Sequence, residues 1–248
     1  MDNRVPSPAP VSAATPSASI PDAVRRATYI IIAAYHEQSA IGEVVRELVV
    51  DFPNVVVIDD GSADATGREA LVAGATVLTH FVNRGQGAAL QTGIDFALSR
   101  AAQYIVTFDA DGQHRPSDLP KLLAPIIGGD ADIVLGSRFI ESADAVPPGR
   151  RAVLFAAVLF TRLTSRVKLS DTHNGLRAFS RRAAESIDLQ LDRMAHASEL
   201  IDQVRASGLA YTEVPVEIRY TSYSMAKGQR SSAAIRIALD YLIGKLLR

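Results

Sequence analysis

The sequence predicts an α/β domain built on a mostly parallel central sheet flanked by helices. Two observations lead there. From Thr28 onward, short apolar runs alternate with segments whose apolar residues recur at helical spacing. Polar residues also fall directly after the apolar runs, and open α/β sheets bind ligands at the carboxyl ends of their strands.

Each element follows in order. "YIIIAA" (29–34) reads as the first strand, and Ile41, Val44, Val45, Leu48, Val49 and Phe52 mark a helix after it. "VVVIDD" (55–60) is a second strand and "ATVLTH" (75–80) a third; Leu90, Ile94, Ala97 and Leu98 mark the next helix. "YIVTFDAD" (104–111) and "DIVLGS" (132–137) are the fourth and fifth strands, and "SADAVPPGRR" (142–151) is a surface loop. A helix from about Leu154 to Arg166 precedes the polar cluster "DTHNGLRAF" (171–179) and the segment "HASELIDQVRASG" (196–208). "YTEVPVEIRY" (211–220) is a late strand carrying Arg219, and "SSAAIRIALDYLIGKLLR" closes the chain as an amphipathic helix with Ile235, Leu239, Leu242 and Leu246 on one side.

Composition bounds the function. The chain has 248 residues, 48% of them hydrophobic, enough for one structural domain. A net charge of -1 gives no global attraction to nucleic acid, and the absence of cysteine excludes disulfides, thiol nucleophiles and cysteine metal sites. No apolar run reaches the ~18 to 20 residues of a spanning helix. "AVLFAAVLF" (152–160) is too short and is followed by Arg162, which suits a packed or interfacial helix. Residues 1–27, rich in Pro, Ser and Ala, read as a disordered tail without the apolar core of a secretion signal. These features point to a cytoplasmic protein, soluble or peripheral on the membrane; its terminal helix could cover the sheet, dock on a bilayer or form a homodimer contact.

The chemistry lies in the polar residues at the strand ends. Tyr35 and Glu37 follow strand one, Asp59 and Asp60 end strand two, Asn83 and Arg84 follow strand three, and Asp109 and Asp111 end strand four. In an extended chain Asp109 and Asp111 share a face, where two carboxylates repel unless a cation lies between them. A hard divalent ion, Mg²⁺ or Mn²⁺, also held by phosphate oxygens suits this D-x-D spacing, with Gln113 as a neutral ligand. Taken alone, the pair fits ordinary turn carboxylates equally well. The second acidic pair tips the balance: Asp59 and Asp60 end an apolar strand, where a carboxylate can meet the N–H of a base or a ribose hydroxyl, while Ser62 or Asp64 serves as a helix cap.

Other readings fall away on the residues. "NRGQGAALQTG" has Leu90 where a dinucleotide fold needs its third glycine. His114 and His173 have no second histidine at ligand spacing, and imidazole suits softer metals. "AAYHEQSA" lacks the Gly-rich loop and basic residue of a sugar nucleotidyltransferase. A non-catalytic sugar-nucleotide binding module is the remaining competitor.

"YHE", "VVVIDDGSADATG", "NRGQGAALQTGIDFA", "FDADGQHRPSDL" and "GSRF", in this order, resemble family 2 glycosyltransferases of the GT-A fold, and most of all their dolichol-phosphate mannose synthase subgroup. The likeness runs from about Ile30 to Lys227. It implies a nucleotide-binding half over about 28–112 and an acceptor half over about 113–248. By this resemblance Ala33, Tyr35 and Glu37 belong to the first nucleotide-contacting loop, which usually has Pro at 33 and Asn at 36. Ile58 and Asp60 match base and ribose contacts. Asp109, Ala110, Asp111 and Gln113 match the metal and diphosphate segment, and Arg138, Arg219 and Lys227 match cations that neutralise phosphates. Asp171 and Arg177 align with subgroup positions, whereas His173 and Asn174 are distinctive and "RYTSYSMAK" runs longer than its counterpart.

The implied reaction is inverting transfer of a sugar from a UDP- or GDP-linked donor. The expected acceptor is a polyprenyl phosphate, dolichyl or undecaprenyl, with a glycan or other hydroxyl as the alternative. A hydroxyl needs a base, for which Glu199 and Asp171 are the candidates. A lipid phosphate is already ionised and needs arginines, supplied by Arg138, Arg150, Arg151 and Arg177.

Overall fold

A computed structural model describes residues 20–140, 169–171, 174–189 and 196–219 of the chain. In chain order these are α1 (Asp22–Ala27), β1 (Thr28–Ala34), α2 (Ile41–Val49), β2 (Asn54–Asp59), α3 (Thr66–Val72), β3 (Thr76–Thr79), α4 (Gln86–Ser99), β4 (Tyr104–Thr107), a 3₁₀ turn (Pro116–Asp118) running into α5 (Leu119–Ile127), β5 (Ile133–Ser137), β6 (Arg177–Ser180), α6 (Arg181–Ala184), α7 (His196–Ser207) and β7 (Tyr211–Pro215).

The described strands form a sheet in the order β3-β2-β1-β4-β6-β5-β7. Pairing is parallel at β1–β2, β2–β3, β1–β4 and β5–β7, whereas β6 runs antiparallel to both β4 and β5. Successive strand residues feed opposite faces, and both faces are covered. Ile30, Ile32, Val55 and Val57 pack with Ile41, Val44 and Leu48 of α2 and Leu119, Leu122 and Leu123 of α5. Ile31, Val56 and Ile58 pack with Leu90 and Ile94 of α4 and Leu200, Ile201 and Val204 of α7. The continuous apolar runs of β1 and β2 are therefore those of strands buried on both sides.

Four sequence expectations change. The tail does not extend to residue 27: Asp22–Ala27 is helical, with Asp22 in its first turn and Arg25 and Arg26 in its last, where each charge complements the helix dipole. Ile20 joins the core beside it. The fourth strand stops at Thr107, so Asp109 and Asp111 lie in a turn. The late strand ends at Pro215 instead of residue 220. The polar cluster 171–179 conceals β6, whose register sets Thr107 and Leu135 on either side of Arg177. The 142–151 loop, the 154–166 helix, the closing helix and Arg150, Arg151, His173 and Lys227 lie outside the described residues. Among those described, no helix is long and apolar enough to cross a membrane.

Candidate active site

The parallel strands carry their C-terminal ends to one rim, and the loops there are pinned to one another. Tyr35, 43% exposed, stacks on the His36 ring with centroids 4.1 Å apart and planes 20° from parallel. His36 adopts a φ of 54°, and its N–H donates to Ser62 Oγ at 3.0 Å while its Nε2 accepts from the Ala63 N–H at 3.2 Å. The Glu37 N–H donates to Thr66 Oγ1 at 2.8 Å. The loop after β1 is thus laced to the start of α3.

At the end of β2 the two aspartates divide their work. Asp59 Oδ1 accepts from the Ser62 N–H at 3.0 Å, fixing the turn itself. Asp60 is buried, and its carboxylate meets three donors: His80 Nδ1 at 2.7 Å, the Arg84 N–H at 2.9 Å and the Gly85 N–H at 2.7 Å. His80 Nε2 in turn lies 3.0 Å from Thr92 Oγ1 on α4. Asp60 therefore braces the entry of α4 against β2, a role with no trace in its own neighbourhood of the sequence. Ile58 is wholly buried in the core, so its side chain does not reach the rim; Ala33 is half-buried and the Arg84 side chain exposed.

Beyond β4 the chain turns through Asp109–Gly112, and Gly112 takes the left-handed φ of 73° that this turn requires. Asp111 Oδ1 accepts from the Gln113 N–H at 3.0 Å, which closes the turn. Burial, and then the charge of Asp109, pushes the Asp111 carboxyl above its ordinary value, with Glu37 adding in the same direction. The two carboxylates thus share one electrostatic environment, as the sequence spacing predicted, although a turn rather than a strand places them. His114 Nε2 lies 2.9 Å from Asp109 Oδ2, and its ring sits edge-on to Phe108, centroids 5.4 Å apart. Ala110 is buried between the two acids, and Gln113 is half-buried beside them.

These residues fit a divalent ion. The described residues hold no cluster of three or more His, Cys, Asp or Glu able to cage a metal by themselves. Two mutually repelling carboxylates and a nearby amide instead match the sparse protein ligation of Mg²⁺ or Mn²⁺ completed by phosphate oxygens and water.

The other side of the rim arrives on β5, β6 and β7. Arg138 holds Asp171 in a buried bidentate pair, Nε to Oδ2 at 2.6 Å and Nη2 to Oδ1 at 2.8 Å, while the Arg138 N–H also donates to Oδ2 at 3.2 Å. Arg177 is enclosed between the charges of Asp109 and Asp171; burial pulls its guanidinium down to about 10, and the two carboxylates oppose that shift. Asp171 is thus an anchor for the two arginines rather than an open carboxylate. Glu199, on α7, is buried as well. Arg219 joins the Asp109–Gln113 turn through its backbone, its N–H donating to Gln113 O at 2.8 Å, while its guanidinium rests 3.2 Å from both oxygens of Glu47 on α2.

Sequence reasoning missed Glu213. Its carboxylate accepts from Ser170 N–H at 3.0 and 2.9 Å, from Ser170 Oγ at 2.9 Å and from Asp171 N–H at 3.1 Å, holding the Asp171 segment to β7. A charged residue in the middle of a five-residue strand, Tyr211–Pro215, was the available signal.

Sheet order, the one reversed strand among those described and paired aspartates beyond β4 define a glycosyltransferase of the GT-A class. Glucosyl-3-phosphoglycerate synthase from Mycobacterium tuberculosis, crystallised with Mn²⁺, UDP-glucose and phosphoglyceric acid, shares the fold with a TM-score of 0.64 at 22% identity, over 93% of this chain and 86% of that one. The chain belongs to glycosyl transferase family 2, whose model matches residues 29–188. It is 31% identical over 240 residues to a UDP-N-acetylglucosamine–dolichyl-phosphate N-acetylglucosaminyltransferase of Methanococcus voltae, covering 88% of this chain and 96% of that protein. It is 32% identical over 223 residues to a polyprenol monophosphomannose synthase of Mycolicibacterium smegmatis, covering 86% and 84%.

Proposed function

We propose that this glycosyltransferase is metal-dependent and inverting, moving a sugar from a UDP- or GDP-linked donor to a polyprenyl phosphate at a membrane surface. The observation that carries the proposal is the juxtaposition of the Asp109–Gln113 turn with the buried Arg177, whose other charged neighbour, Asp171, holds Arg138.

Departure of the nucleotide diphosphate builds negative charge, and fixed cations lower that barrier by stabilising charge in the transition state. Mg²⁺ or Mn²⁺ held by Asp109, Asp111 and Gln113 would supply Lewis-acid stabilisation there. The loop of Ala33, Tyr35 and Glu37 forms the donor side of the rim, and Asp60 holds Arg84 and Gly85 in place beside it. Arg219 and Lys227 complete the phosphate-neutralising set.

A phosphate acceptor is favoured because it brings an already ionised nucleophile and asks for cations rather than a base. Asp171, a candidate base from sequence, has both oxygens engaged by Arg138. Two relatives named for dolichyl-phosphate and polyprenol acceptors support the same reading. A hydroxyl acceptor would leave the proton to Glu199.

The test is calorimetric titration with UDP and GDP, with and without Mn²⁺, followed by transfer assays onto undecaprenyl and dolichyl phosphate. Metal-dependent binding of one nucleotide and turnover on a lipid phosphate are expected, both lost in Asp111→Ala at unchanged melting temperature. Full turnover by Asp111→Ala would sink the metal assignment, and transfer only to hydroxyl acceptors would sink the lipid one.

A further inference from the structure

The segment just before β6 carries Gly175, which has no conformational reason to be glycine. Its φ lies outside the left-handed region, so an L-residue fits its backbone. What a side chain there would meet first is Asp109. A Cβ at 175 would lie 2.1 and 2.4 Å from the two carboxylate oxygens of Asp109 and 2.5 Å from its carboxyl carbon, and these are its three nearest atoms. The Asp109 carboxylate therefore lies directly on the Cα of Gly175. Thr107 Oγ1 donates to Gly175 O at 2.7 Å, so the hydroxyl of the last β4 residue locks this approach, and β6 pairing at Thr107–Arg177 fixes it from the other side.

Asp109 is thus bounded on several sides: Gly175 beneath it, His114 Nε2 at 2.9 Å on Oδ2, and the charge of buried Arg177. An aspartate has only two side-chain torsions, so a group pressing on its carboxylate rotates it away from its site. Asp111 accepts the turn-closing bond from Gln113.

We infer that Gly175 is a positioning residue for the metal seat, kept without a side chain so that the Asp109 carboxylate can lie against the β6 entry and face the ion. This rests on the metal-dependent reading above. It makes a segment about 65 residues downstream of the D-x-D turn part of the donor site, and ties that site through Arg177 to the Asp171–Arg138 pair. His114 serves the same carboxylate through its 2.9 Å contact with Oδ2.

The experiment combines Mn²⁺ titration followed by EPR, in the presence of UDP and separately of GDP, with thermal unfolding of Gly175→Ala, Asp109→Ala and the double variant. Asp109→Ala should lose Mn²⁺ binding, and Gly175→Ala should weaken it by about 10-fold or more, the range typical of residues that orient a metal ligand. Gly175→Ala should also lower the unfolding midpoint in the wild-type background and leave it unchanged in Asp109→Ala, where the clashing carboxylate is gone. His114→Leu should weaken Mn²⁺ binding and His114→Gln, which keeps a donor, should restore part of it. Wild-type Mn²⁺ affinity in Gly175→Ala would overturn the inference, as would an equal midpoint loss in both backgrounds or failure of the double variant to fold. Wild-type Mn²⁺ affinity in Asp109→Ala would instead overturn the metal reading beneath it, leaving the cradle to be decided by the thermal arm alone.

Discussion

Asp60→Asn separates bracing from ligand contact. In the native protein the Asp60 carboxylate, 3% exposed, accepts from His80, Arg84 N–H and Gly85 N–H. Asparagine keeps one acceptor oxygen and replaces the other with an amino group. If the oxygen stays with His80 and Arg84, the new N–H groups confront the buried Gly85 N–H; the flipped amide confronts the other two. Either way at least one buried donor loses its acceptor, at about 1–3 kcal/mol, and the remaining bonds lose their charge assistance. Allowing for non-additivity, a loss of about 2–4 kcal/mol is expected, and each 1 kcal/mol moves the melting point of a chain this size by roughly 2–4 °C. The assay is urea unfolding of wild type and variant, with nucleotide binding measured in parallel at a temperature where both are folded. A variant as stable as wild type that has lost nucleotide binding would refute the bracing argument and return Asp60 to a direct ribose or base contact.

Two further perturbations probe the network around Asp171. Burial raises the Glu213 carboxyl above its ordinary value of 4.5, so the folded state holds that proton more tightly than the unfolded chain does. Its contribution to stability is complete below the unfolded value and is lost as pH rises through the folded one. Glu213→Gln, which cannot titrate, should therefore gain stability relative to wild type as pH rises above the ordinary carboxyl value of 4.5 in urea unfolding; parallel profiles would refute this. Asp171→Leu should be the costliest change in the arginine network, about 3–5 kcal/mol, because it strips both Arg138 and Arg177 of a buried counter-charge. Adding Arg138→Met on top should then cost little, and strictly additive losses by denaturant titration would contradict the pairing.

What was legible in the sequence was local. β1 and β2 are written as apolar runs because both sheet faces bury them, and the polar residues after them mark the rim without ambiguity. The D-x-D spacing by itself fitted ordinary turn carboxylates as well as an ion seat, and Gly112 announced the turn that the strand reading overlooked. What stayed hidden was contact between distant segments. β6 is four residues long and takes its partners at Thr107 and Leu135, so its strand character lies in the neighbours and not in its own pattern. Asp60 looked like an exposed ligand because its donors at residues 80–85 are visible only once β3 is docked beside β2. Arg177 and Asp171 were picked as site residues by likeness, yet nothing short of the fold could show that Arg177 is enclosed and that Asp171 is engaged on both oxygens.

The reversed strand also orders events in time. As the chain leaves the ribosome, β1 to β4 can pair as a local parallel unit, but β4 then has a neighbour on one side only. Its outer row of N–H and C=O groups remains a bare edge until residues 177–180 arrive to cover it. Closing that edge joins Thr107 to Arg177 across a large sequence separation that includes α5 and β5, the kind of contact whose entropy must be spent before it is repaid. The most exposed interval in the life of this protein therefore falls between synthesis of β4 and synthesis of β6, and the same docking step that ends it also completes the cluster of charges around Asp109.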